Sequence, residues 1–211
     1  MPAVQDNVSE IMLVVRAYLQ AALDDIQTTP LNRTLIGNIG TPGGEGSDGT
    51  AQTAPLEESV VLTLVRTEED PTRKNQRNFR VNPLADSPDN GIQYRTPPVG
   101  LNLYILITAN HQNYATALNL LSNVIAVFQH RNRVSEDDAP WPANRLFSDK
   151  RLKFTLLSPT FEEHNHLWGM LGGKQLPSVL YLVQTINVEL VPDAIQTGPP
   201  VREIVLNESL S

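Results

Sequence analysis

Cysteine is missing altogether from the 211 residues. That absence excludes thiol catalysis, a disulfide framework and zinc-thiolate centres, and it suits a chain made in a reducing cytosol. Basic residues are scarce as well: 16 Lys and Arg against 23 Asp and Glu leave a net charge of −7. Nucleic-acid binding needs clustered Lys and Arg to neutralise phosphates, so no nucleic-acid partner is expected. Long apolar runs are lacking. The first apolar stretch has no basic segment ahead of it and is interrupted by Glu10, Arg16, Asp24 and Asp25. It therefore predicts neither a signal peptide nor direct membrane insertion. The length fits one ordinary domain, or one domain with an arm. A chain of this size buries roughly 70% of its unfolded surface and needs no metal or disulfide staple.

What is present is a clear alternation of periodicities. Val8, Ile11, Met12, Val15, Leu19, Leu23 and Ile26 recur at helical spacing. Asn7 followed by Glu10 reads as a capping box, so a first helix is expected over about 7–26. From Asn32 to Pro55 the pattern disappears into a glycine-rich stretch, expected as a flexible loop over 37–55. Val60 to Val65 is rich in β-branched residues and reads as a strand. It runs into the charged segment RTEEDPTRKNQRNFR, expected as a turn from Glu68 to Arg80.

LNLYILIT alternates over residues 101–108, with Leu101, Leu103, Ile105 and Ile107 on one face. Tyr114, Ala117, Leu118, Leu121, Ile125 and Phe128 form the apolar stripe of a second helix ending near His130. Leu152, Phe154 and Leu156 mark another strand. Thr160 with Glu163 predicts a capped short helix through Leu171, stopped by Gly172 and Gly173. After Pro177 a last long strand is expected to place Leu180, Leu182, Ile186, Val188 and Leu190 on one face. The expected fold is α+β: a mostly antiparallel sheet covered by two amphipathic helices over 1–190, followed by a C-terminal arm over 191–211. In that arm Ile204, Val205 and Leu206 either pair as a strand with a neighbouring chain or form a loosely held tail.

No chemistry converges in the sequence. GTPGGEGSDGT lacks the Gly-Lys-Ser/Thr ending and the preceding strand of a phosphate loop. His164-Asn165-His166 matches a nuclease motif in letters only, since a zinc helix wants histidines four apart with a glutamate between them. The acidic pairs Asp24/Asp25, Glu57/Glu58, Glu68/Glu69/Asp70, Asp137/Asp138 and Glu162/Glu163 are scattered along polar segments without apolar flanks that would raise a pKa. No serine sits in a Gly-x-Ser-x-Gly elbow. Catalytic, cofactor and metal residues are therefore left unassigned, and binding or structural work is favoured over an enzyme.

Three segments in order carry a resemblance: VVLTLVRTEEDPTRKNQRN, then PPVGLNLYILITAN with NYATALNLLSNVIAVFQHR, then FEEHNHLWGMLGGKQLPSVLYLVQTINVEL. The most specific run is Leu-Trp-x-x-Leu-Gly-Gly-Lys-x-x-Pro-Ser-x-x-Tyr from Leu167 to Tyr181. Together, over about residues 8–190, they resemble the N-terminal domain family of cap proteins of contractile injection systems. These are the phage-tail-like particles of the antifeeding-prophage and Photorhabdus-virulence-cassette type. Two departures, the long glycine stretch and Arg73-Lys74-Asn75, leave the fold untouched.

The resemblance implies a tail-terminator-like fold and a homohexameric ring that closes the distal end of the inner tube and contractile sheath. Sheath and tube proteins would be its partners. The chain would sit in the bacterial cytoplasm during assembly and in the injection particle afterwards. Candidate contacts to neighbours or sheath are Glu68, Glu69, Asp70, Arg73, Lys74, Arg77, Asn78 and Lys174, with Ile204, Val205 and Leu206. A neck or baseplate connector of the same particle is the nearest alternative. A small hydrolase or nucleotide-binding enzyme using the glycine stretch with Asp48 or Lys174 is the alternative of another class.

Overall fold

The computed structural model describes residues 3–5, 7–26, 33–50, 53–73, 79–81, 92–94, 99–139, 141, 150–191 and 196–198. Its centre is the alternating strand β8 (Val99–Asn110), flanked antiparallel by β5 (Ser59–Glu69) and β11 (Ser178–Val191). Outside β5 lie β2 (Arg33–Ile36), β3 (Glu45–Ser47) and β4 (Thr53–Pro55). Beyond β11 come β10 (Leu152–Leu157) and β9 (Arg133–Val134), and β1 (Ala3–Gln5) pairs with the far end of β11. The order is β4-β3-β2-β5-β8-β11-β10-β9, nine strands with β1, and only β2 and β5 run parallel. A separate three-stranded sheet joins β6 (Phe79–Val81), β7 (Ile92–Tyr94) and β12 (Gln196–Gly198).

One face of the large sheet carries the main core. Helices α1 (Val8–Ile26) and α2 (Tyr114–His130) bury Leu19, Leu23, Leu120 and Val124 against Leu62, Leu103, Ile105 and Ile107. Asn7 caps α1, accepting from the Ser9 N–H at 2.9 Å, and Asn113 caps α2 through the Ala115 and Thr116 N–H groups. Arg16 Nε donates to the Thr34 carbonyl at 2.8 Å, and the Thr34 N–H donates to Gln20 at 2.7 Å, which fixes α1 along β2. On the opposite face stands α3 (Phe161–Met170), begun by the expected capping box and ended by Gly172 and Gly173 with φ of 90° and 79°.

Four sequence expectations change here. The stretch from Asn32 to Pro55 holds three short strands; Gly37 and Gly46 lie against Leu56, giving a small second cluster of Leu35, Leu56 and Val61. Strand β5 runs on to Glu69, so Glu68 and Glu69 pair with Asn102 and Leu101 of β8 and do not sit on a turn. The buried stripe of α2 is Ala117, Leu120, Val124, Val127 and Phe128, while Tyr114 and Leu118 stand in solvent. On β11 the core-facing residues are Tyr181, Val183 and Ile186, because a β-bulge between Val183 and Ile186 reverses the alternation. Leu180 and Leu182 therefore lie on the other face. Of the expected arm, Val191 ends β11 and Gln196–Gly198 pairs with β7; Ile204, Val205 and Leu206 lie outside the described residues.

Candidate interaction surface

A second bulge shapes the surface nearest the predicted contacts. Leu64 pairs with Ile105 but Arg66 pairs with Tyr104, so Val65 is the extra residue. Without it Arg66 would face the helices and the core; with it Arg66 and Glu68 join Tyr104 on the α3 face. There the Tyr104 hydroxyl donates to Glu68 Oε2 at 2.7 Å, the Arg66 guanidinium lies 3.4 Å from the same oxygen, and its carbon lies 5.4 Å from the Tyr104 ring centre. The hydrogen bond to Glu68 holds the Tyr104 phenol above its ordinary pKa, helped by burial and by the carboxylate charge. This set is a fixed polar patch that displays charge of both signs.

The predicted contact residues divide as follows. Glu68 and Glu69 belong to β5. Asp70 is buried just beyond it and organises the turn Pro71–Arg73, accepting from the Thr72 N–H at 3.0 Å and hydroxyl at 2.7 Å. The backbone of Arg73 ends that turn, and Lys74, Arg77 and Asn78 lie outside the described residues. Past Ile36, where β2 stops opposite Leu62, β5 is paired only with β8 among the described residues. Lys174 is exposed on the loop after α3.

Sequence reading missed the relief around α3. Clefts of about 730 Å³ and 630 Å³ flank this helix. The first is lined by Phe161, His164, Trp168 and Gln175, and the second by Tyr104, His166, Leu167, Met170 and Leu180. Trp168 is buried, but Phe161 is 98% and Met170 77% exposed. The signal was available: α3 spreads its apolar residues around the helix without forming one stripe. Gly40 closes the base of α3, since a Cβ there would stand 2.9 Å from the Leu171 carbonyl oxygen.

The candidate chemistry resolves into local structure. Asp48 accepts from the Thr50 hydroxyl at 2.6 Å and N–H at 2.9 Å, and these bonds hold its carboxyl below the usual range. Glu58, at φ 54°, is held 2.5 Å from His111 Nε2 and accepts from the Gln112 N–H, which ties the β4–β5 turn to the start of α2. His164 bonds to Gln175 at 3.2 Å. Among the described residues no three metal-ligating side chains converge.

The family model for the Pvc16 N-terminal domain matches residues 10–203. The chain belongs to that family. Among solved structures, this Pvc16-type domain resembles the PVC sheath/tube terminator of an extracellular contractile injection system in its extended state. The TM-score is 0.56 at 16% identity, covering 98% of this chain and 66% of that one. That likeness is one of fold: the two chains share the α+β architecture. The anti-feeding prophage cap, a tube-terminating cap, matches at a TM-score of 0.46 and 15% identity over 71% of this chain and 49% of that one. The Pvc16-type chain thus spans just under two thirds of the first relative and about half of the second. No curated protein matches its sequence.

Proposed function

We propose that this chain is a cap or tail-terminator subunit of a contractile injection particle. It acts by shape: six copies close a ring on the last layers of tube and sheath and offer no seat for the next layer. The observation that carries this reading is the family match across residues 10–203, supported by the fold shared with a sheath/tube terminator. Synthesis and ring assembly take place in the bacterial cytoplasm, and the finished ring stays with the particle.

Sheath or neighbour contacts fall on the two-signed patch of Arg66, Glu68 and Tyr104, on the adjoining 69–78 segment including Glu69, Asp70, Arg73, Lys74, Arg77 and Asn78, and on Lys174. A patch with both charge signs suits polar contact with a partner, setting orientation more than affinity. Ile204, Val205 and Leu206 are a further candidate contact for a neighbouring chain.

Particles purified from cells lacking this chain, measured by negative-stain electron microscopy, decide the matter. Overlong or ragged sheaths open at one end are expected. Normally capped particles of uniform length would move the chain to a connector role near the baseplate.

A further inference from the structure

Helix α2 carries two apolar stripes. Ala117, Leu120, Val124 and Phe128 face the core. Tyr114, Leu118, Leu121 and Ile125 follow at spacings of four, three and four, which also stack on one side of a helix. Tyr114 is 66% and Leu118 42% exposed, and Leu121 and Ile125 are half-buried outside the core cluster. From Tyr114 to Gln129 the helix contains no Asp, Glu, Lys or Arg. A surface helix ordinarily gives its outer face to charged residues, and depletion of charge around aromatic and aliphatic side chains marks the centre of a protein contact.

The occupant follows from what else is exposed. Apart from this stripe, the most exposed large apolar side chains among the described residues are Phe161 and Met170 on α3, beside its clefts, while Ile26, Val99 and Leu156, at 50%, 49% and 48%, stand singly on other elements. Helices α2 and α3 cover opposite faces of the same sheet. A cyclic ring is built from heterologous contacts, in which one patch meets a different patch on the next copy, so the two must lie on roughly opposite sides of the subunit. Copies that each carry a net charge of −7 also repel, and a charge-free helix gives them a surface on which to meet.

We infer that the Tyr114–Leu118–Leu121–Ile125 stripe of one copy seats against the α3 flank, Phe161 and Met170, of the next copy. This inference rests on the proposed ring and assigns its subunit contact.

The lack of cysteine makes the test clean, because only introduced thiols react. Full-length Leu118→Cys chains are mixed with Met170→Cys chains and, separately, with Phe161→Cys chains, and treated with a short bismaleimide. A linked pair is expected in at least one mixture. A Leu118→Cys/Met170→Cys chain should give a ladder of covalent multimers, whereas Leu118→Cys alone stays single. Leu118→Glu should abolish higher species in sedimentation while leaving the melting temperature of the single subunit, taken at high dilution, unchanged.

Self-linking of Leu118→Cys alone would show a two-fold α2–α2 contact and overturn the inference. Wild-type rings without links from position 118 to position 161 or 170 would overturn the contact and leave the ring standing. A wild-type chain that stays single across a concentration series would remove both ring and contact, while the particle-length experiment would still decide termination.

Discussion

Gly46 sits where the small second cluster leaves no room for a side chain. A Cβ there would stand 2.9 Å from Leu35 Cβ and 2.6 Å from Leu56 Cδ2, and the Leu35 atom is fixed by its own backbone. Gly46→Ala should lower stability by about 1–3 kcal/mol, read from the denaturation midpoint, because overpacking must displace β2 or Leu56. This glycine was legible as a loop former, but its packing role was not, since it depends on Leu56 returning from ten residues away. Three tyrosines give a pH signature. Burial raises the Tyr18 phenol, against an opposing pull from Arg131; burial alone raises Tyr181; and the bond to Glu68 leads the rise at Tyr104. A folded pKa above the unfolded value of 10.0 means stability is whole below about pH 10 and is lost as pH climbs through the raised values. Denaturant midpoints taken across that range should fall, and Glu68→Ala should bring the Tyr104 titration, followed by ultraviolet absorbance, down toward its ordinary value.

At the scale of elements, α2 shows how a correctly placed helix can be assigned the wrong face. Its start at Tyr114 and its end near His130 could be read from the length of the apolar pattern. Its buried side could not, because both stripes obey helical spacing and no charged residue marks either one as outward. Leu120→Ala, at a fully buried position, should cost about 2–5 kcal/mol. Leu118→Ala should stay within about 0.5 kcal/mol of the parent in the isolated subunit. Chemical denaturation of the two variants side by side separates the stripes. Strand β11 was misread for a different reason: its position was clear from the residues after Pro177, but the bulge near Gln184 and Thr185 switches its inward face part-way along. Bulges depend on the partner strand, so a single strand's alternation does not reveal them. The capping box and glycine stop of α3 were fully local, and both stand as read.

For the whole molecule, the layer arrangement followed from the sequence because two long periodic helices and four apolar strands left few ways to pack. The contact surfaces did not, since they depend on which side chains remain uncovered once the layers are assembled. The acidic surplus works against association of identical copies, and salt should relieve it. Between about 0.01 M and 0.15 M salt the screening length falls from ~30 Å to ~8 Å. Sedimentation across that range should show the fraction in the proposed rings rising. An assembly held by surface ion pairs would respond in the opposite direction.

The nine-stranded sheet ends in β4, three residues finishing at Pro55, and in β9, two residues long. Proline has no amide hydrogen to offer a further strand, and such short margins cannot template one. In the language of polymer chemistry, both margins are chain stoppers. At these two margins the sheet offers no template from which a fibre could grow.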